Sequence, residues 1–415
     1  MEQATIRSAV KVLLACVYWP PAGGAGVIRP LKLAAHLVEL GLGVHVLAPD
    51  DPKWVHRDPS LESPPGVTVH RTRNPGPPAA RWLDLPGTRG AARLRLLARL
   101  NARRLSVPDA GVYWSLGSVP AGLRVVAEER IDVVLTTSPP ISVNLLGAAL
   151  KARAGIPWVA DLRDSPLSPD RRRHIRGERA VARLVARRAD AVVTATRGIA
   201  EEMRELDSRG PVETIENAAD FDDFAGLRYV RGDRFRITHT GSFVGRRDAR
   251  PFLEALARSE EVVARFVGDF PFADRTHLAK LGLDGRVETT GYRPRTATLA
   301  EQRAADALLL LLPDTGRAGR GILTTKLFEY LAAGRPILAV VQPDSEAAAL
   351  VEETRTGVVV APGDVDGIAA ALRDLAERWC EDALPELELD AALRARLDRR
   401  ERAERLADLL RRVAA

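Results

Sequence analysis

Residues 307–341 read ALLLLLPDTGRAGRGILTTKLFEYLAAGRPILAVV. Ala307–Leu312 is a short continuous apolar run stopped by Pro313, which reads as a buried strand. A glycine-bearing loop follows, and Thr325–Ala333 then reads as a helix closed by Gly334. Ile337–Val341 is a second apolar run. Strand, loop, helix and strand in succession predict a parallel βαβ unit, covered on both faces.

The same alternation runs outward from this unit. Towards the N-terminus of the second half, Arg236–Thr240, Ala264–Val267 and Val287–Thr290 read as strands and Arg250–Ser259 as a helix. Towards the C-terminus, Asp364–Trp379 reads as a helix with Asp364 at its positive end. The first half repeats the grammar: strands at Lys11–Val17, Val44–Ala48, Ile131–Thr137, Trp158–Asp161 and Ala191–Thr194. Helices at Gly26–Leu40, Ser142–Ala154 and Arg171–Arg188 separate them. Between the halves, Ala218–Asp233 has no clear period. The fold class is therefore α/β, with two doubly wound Rossmann-like units and a cleft for ligand at the carboxyl ends of their strands. The expected boundaries are residues 1–217, a linker at 218–233, a second domain at 234–385 and a C-terminal helix at 386–415.

A length of 415 residues suits two or three domains, and 46% hydrophobic with 28% charged residues excludes a disordered chain. The net charge is +6, yet only six of the 61 basic residues are lysines: 11, 32, 53, 151, 280 and 326. Arginine is thus background here, and a lysine inside a motif carries weight. Cys16 and Cys380 make neither a disulfide framework nor a zinc motif, so a reducing cytoplasm fits best. The run Val10–Trp19 is short and meets Pro20-Pro21 without a small-residue cleavage site, a strand rather than a signal peptide. No stretch reaches the length of a membrane helix. Arg93–Leu105 carries five arginines and no acid, which would suit peripheral contact with an anionic membrane face but also an ordinary surface helix. Few aromatics and no recognition module argue against nucleic acid.

Four segments carry candidate chemistry. Lys326 sits in the first turn of its helix, where a cation opposes the dipole unless it faces an anion. Thr324 or Thr325 caps that helix, and Glu329 shares a face with Lys326, so an internal pair competes with a diphosphate cradle. The segment THTGSFVGRRDARP places Gly241 and Gly245 in a loop bearing Arg246 and Arg247, whose forks suit phosphate. In YWPPAGGAGVIR, Gly23 and Gly24 let backbone approach a ligand ahead of a helix N-terminus. In GIPWVADLRDSP, Asp161, Arg163 and Asp164 stand at a strand end, as site residues or as a structural Arg–Asp pair. No GxGxxG fingerprint is present, the second strand ends without an acid, and the histidines show no metal spacing. The DFDD at Asp220–Asp223 reads as linker rather than as a DxD metal site.

Together YWPPAGGAGVIR, IPWVADLRD, THTGSF and TTKLFEYLAAGRPIL resemble the retaining nucleotide-sugar glycosyltransferases of family 4, over about Val10–Trp379. The resemblance implies the GT-B fold, a last helix that crosses back to the N-terminal domain, and no cofactor or metal. It further implies a nucleoside-diphosphate sugar as donor and UDP or GDP as product. Glu329 matches the second glutamate of the family's pair, the ribose ligand, while Gly321 stands at the first. Ser242 and Arg247 occupy the family's arginine and lysine positions, so Arg246, Arg247 and Lys326 would share the diphosphate charge. Arg163 replaces its histidine, and Gly291-Tyr292 would flank the base. Ile322, Leu323, Thr324, Thr325 and Leu327 complete the implied donor side, and Arg29, Ser138, Asp161 and Asp164 the acceptor side. The expected acceptor is a small specialised metabolite; alternatives are a lipid-linked cell-envelope glycan or, in a different class, nucleotide-sugar 2-epimerisation. A non-enzymatic membrane-binding protein is a third class.

Overall fold

A computed structural model describes residues 9–51, 56–76, 106–167, 175–243, 247–270, 272–283, 285–314, 316, 320–384 and 386–415. The chain divides into two compact units. The first contains Met1–Arg57, Glu62–Glu216 and Arg402–Ala415; the second contains Asp58–Leu61 and Asn217–Glu401.

The first unit is built on a seven-stranded sheet of order β3-β2-β1-β4-β5-β6-β7. Its strands are β1 (Lys11–Ala15), β2 (Gly43–Pro49), β3 (Val67–Thr72), β4 (Val133–Ser138), β5 (Trp158–Leu162), β6 (Ala191–Thr194) and β7 (Val212–Thr214). All pair in parallel. Central strands such as β4 and β5 are buried along their whole length, which is why each opens on an apolar run, Val133–Leu135 and Trp158–Ala160. Trp114, Leu146 and Trp158 fill one side of this core. Trp158 leaves no room for a side chain at position 147, where a Cβ would lie 2.3 Å from its Nε1.

The second unit holds six parallel strands in the order β10-β9-β8-β11-β12-β13. These are β8 (Arg236–Thr240), β9 (Val263–Val267), β10 (Val287–Gly291), β11 (Ala307–Leu311), β12 (Ile337–Val340) and β13 (Gly357–Val360). Strand order reverses between β8 and β11, and so does the direction in which the connecting helices wind. Such a switch point leaves a crevice at the carboxyl ends of the two strands. Here the crevice starts early. Ladder pairing between β8 and β11 covers only Ala307↔Ile237 and Leu308↔Thr238. Beyond it, the Thr240 N–H donates to the Tyr330 hydroxyl at 2.9 Å, and that hydroxyl donates to the Leu309 carbonyl at 3.3 Å. A side chain from the following helix thereby bridges the two strands where their direct pairing ends.

The segment expected to be a linker is structured. Phe221–Phe224 form a 3-10 turn with both phenylalanines buried against Leu308, Leu310 and Phe328. Asp220 pairs with Arg399 at 2.8 Å and Asp223 with Arg295 at 2.8 Å, so the acids missed by periodicity are anchors of the second unit. The C-terminal tail, expected as one helix, is two: Ala391–Leu397 and Arg399–Ala414, separated at Asp398. From Arg402 onward it belongs to the first unit, where Arg405 donates to the Thr214 carbonyl and Arg411 to that of Leu40.

Candidate functional site

The helix Thr325–Ala333 opens beside the switch point of the second unit, and its first turn is bare. Thr324 holds the N-cap position with extended backbone, but its hydroxyl makes no cap bond and has no other hydrogen-bond partner. No acid lies in that turn. The positive end of the helix dipole is therefore uncompensated by side chains, an arrangement suited to an anion. Ile322 and Leu323 anchor the approach by packing on the core, and Asn217 donates to the Leu323 carbonyl at 3.1 Å. Leu327 is fully buried and fixes the helix from below.

Lys326 does not pair with Glu329. Its Nζ lies 2.9 Å from Nε2 of His239, on β8. Packing around the amine and the charge of Arg247 push Lys326 well below the ordinary lysine range. Glu329 instead receives Arg295 at 2.5 Å on one oxygen and Gln302 at 2.9 Å on the other. Arg295 also holds Asp223, and its own backbone N–H donates to Asp58 at 2.7 Å. Asp58 additionally accepts from the Tyr292 hydroxyl at 3.2 Å, so Tyr292 and Glu329 are joined through Arg295 and Asp58.

The loop after β8 is seated on glycine. Gly241 has φ +97° and Gly268 φ +135°, both in the region that favours glycine. A Cβ on Gly268 would come within 2.6 Å of the Gly241 carbonyl carbon, and one on Gly241 would come 3.3 Å from Lys326 Nζ. Ser242, next in the loop, bonds Asp269 at 3.2 Å. Arg246 lies outside the described residues, as does the basic stretch Arg93–Leu105.

Five groups that periodicity and motif search passed over thus shape this region: His239, Gly268, Arg295, Gln302 and Asp58. The available signal was position. His239 stands at the carboxyl end of β8, which borders the switch point, and Gly268 follows the neighbouring β9, on the side where the Rossmann rule puts ligands. Nothing in local sequence marks Arg295, Gln302 or Asp58.

In the first unit most of the candidate residues are bonded within the fold. Arg29 is fully buried and forks onto Asp161 at 2.9 and 3.2 Å, while reaching the carbonyls of Ile215 and Glu216. Thr137 donates to the same carboxylate at 2.7 Å. The structural Arg–Asp pair thus exists, but its arginine is Arg29 rather than Arg163. Arg163 donates to three carbonyls, those of Gly26, Ser138 and Pro139, and so ties the glycine turn to the end of β4. Within that turn the Gly23 N–H donates to His56, and Gly24 takes φ +91° at the helix N-cap. Asp164 is exposed. Cys16 is buried, which pushes its thiol up to about 12 and excludes a thiolate nucleophile at neutral pH.

Histidines without metal spacing in sequence nevertheless meet in the fold: His45, His70 and Glu129 have ligand atoms within 4.8 Å of one another. His45 Nδ1 and His70 Nε2 are 3.2 Å apart, with ring centroids 5.5 Å apart and planes at 18°. These distances put the two rings head to head on one line. That is an N–H···N hydrogen bond, whereas two ligands of a tetrahedral ion converge at an angle.

Residues 23–218 match the family described as glycosyl transferase 4-like domain, and residues 234–378 the family described as glycosyl transferases group 1. No curated protein matches the chain by sequence. Among solved structures, a sucrose-phosphate synthase from Thermosynechococcus elongatus superposes with TM-score 0.67 at 16% identity, over 97% of this chain and 99% of its own. Anabaena Alr3699/HepE, solved in complex with UDP and glucose, gives 0.65 at 18% identity over 97% and 99%. A trehalose-phosphate synthase (UDP-forming) from Burkholderia vietnamiensis gives 0.62 at 15% identity over 97% of each. These likenesses carry the fold, two Rossmann-like domains of the GT-B type. With both halves of the chain matched in order by the two family descriptions, the protein belongs to the family-4-type glycosyltransferases.

Proposed function

We propose that the protein moves a sugar from a nucleoside-diphosphate sugar to an acceptor with retention of anomeric configuration. The observation that carries this reading is Lys326, a scarce lysine with no carboxylate partner among the described residues, set in the bare first turn of the helix at the switch point. Cleavage of the sugar–phosphate bond leaves negative charge on the diphosphate. Lys326, Arg247 and the first-turn N–H groups meet that charge as it develops, which favours the transition state over the ground state. Arg295 and Gln302 fix the carboxylate of Glu329, whose remaining lone pairs accept from the ribose hydroxyls. Tyr292 flanks the base. A donor phosphate oxygen takes the acceptor proton, so no protein base is nominated.

The solved complexes of HepE with UDP-glucose and with UDP support a uridine donor as the first to test. The acceptor is read as a small specialised metabolite. No helix among the described residues is long and apolar enough to cross a membrane, and a lipid-linked glycan is the alternative.

The test is turnover of UDP-glucose and GDP-sugars against acceptor panels, with product configuration read by NMR. Lys326→Ala should lower turnover about 10²-fold, in the range of a lost transition-state donor. Wild-type turnover in that variant overturns the site assignment. Conversion of the donor to its epimer without acceptor overturns the transferase reading.

A further inference from the structure

His239 is buried at the carboxyl end of β8, with its ring 4.9 Å from that of Phe243 and 5.9 Å from that of Phe266. Its Nδ1 stands 2.9 Å from the Leu309 carbonyl oxygen, which can only accept, so Nδ1 carries the hydrogen. Nε2 is then a bare lone pair, aimed at Lys326 Nζ. The fold thereby fixes both the tautomer and the partner.

Lys326 lacks a counterion of its own. Glu329, the acid on its helix, is committed to Arg295 and Gln302. From the loop after β8, Arg247 adds positive charge, and the helix dipole adds more. The charged groups facing the amine are therefore Arg247 and Glu329, and His239 is faced by Lys326 and Arg247. An ammonium at this position needs an anion that arrives with the ligand.

We propose that Lys326 and His239 form a proton-coupled anion clamp: binding of a nucleoside diphosphate brings uptake of one proton by Lys326, and His239 is the positioning residue that holds the amine to receive it. The proposal rests on the reading of this site as a diphosphate site. Burial and the neighbouring Lys326 push His239 well below the histidine range, so the imidazole stays neutral and remains an acceptor. Lys326 is also lowered in the free protein, and a bound diphosphate raises it again. Between the free and bound values, binding takes up a proton. Affinity is then highest below the free value and falls about tenfold per pH unit as pH rises through the window.

Calorimetric titration with UDP at about pH 8, where its terminal phosphate is already ionised, in Tris and in HEPES measures proton uptake from the difference in apparent enthalpy. The expected result is uptake approaching one proton in the wild type. In Lys326→Arg, whose charge is permanent, binding persists and uptake vanishes. His239→Phe should weaken UDP binding about tenfold, as expected for loss of one hydrogen bond to a charged group, and His239→Gln, which keeps an acceptor, should restore it. UDP binding with the same enthalpy in both buffers overturns the proposal and leaves the donor reading standing. Wild-type uptake in Lys326→Arg overturns it as well. Absence of binding by UDP and by GDP overturns the donor reading and the clamp together.

Discussion

At the residue scale, one buried arginine in the first unit and one lysine in the second are held in opposite ways. In the first, Arg29 and Asp161 neutralise each other, and Thr137 with the carbonyls of Ile215 and Glu216 completes their hydrogen bonding. In the second, Lys326 has an imidazole where a carboxylate would be expected. A satisfied pair supports a fold, whereas an amine held by an imidazole is the group that the proposed clamp protonates when an anion binds. Asp161→Ala should therefore leave Arg29 buried without a counter-charge and cost about 3–5 kcal/mol in urea unfolding. UDP binding by the second unit should persist. Unchanged stability with a raised KM for acceptor would return Asp161 to the acceptor side. Asp161 was visible in sequence as a charge at a strand end and Arg29 as a charge in the first helix, but not that they pair, because they lie 132 residues apart and meet only in the fold.

Elements set the geometry around Lys326. Direct pairing of β8 with β11 stops at Thr238, and the Tyr330 hydroxyl takes over as the link between Thr240 and Leu309. That bridge, together with the contact of Lys326 with His239, ties the helix carrying Lys326 to the strand β8. On the other side, β9 is followed by Gly268, against which the Gly241 turn is laid. Gly268→Ala combines a φ of +135° with a 2.6 Å approach to backbone, so something must move. It should cost about 1–3 kcal/mol in stability and displace the loop from Lys326. The check is chemical denaturation together with UDP affinity. Wild-type values for both would mean that the close approach has no functional weight. The βαβ grammar at residues 307–341 was plain in sequence, since Thr325–Ala333 forms as the pattern predicts. The switch from strand pairing to a tyrosine bridge was not, because it depends on how far two strands diverge.

At the scale of the whole molecule, the chain leaves the first unit at Glu216 and returns at Arg402. In this last stretch Leu406, Leu409 and Leu410 are buried, and Arg412 pairs with Glu213 at 2.6 Å. Removing residues 402–415 should expose apolar surface worth about 1.5–3 kcal/mol per leucine. The first unit should then unfold or be cleaved sooner, as read by limited proteolysis with fragments identified by mass, while UDP still protects the second. Equal protease resistance of both units in the truncated chain would show that the helix does not support the first. By itself, the sequence determined the α/β class, the two-unit plan and most of the central strands, because these depend on local periodicity. Only the tertiary structure decided that Phe221–Phe224 is packed rather than a linker, that Glu329 belongs to Arg295, and that Lys326 belongs to His239. Each of those pairings joins residues distant in sequence, or a short segment without a period. They are fixed by where sheets and helices converge, which no local pattern encodes.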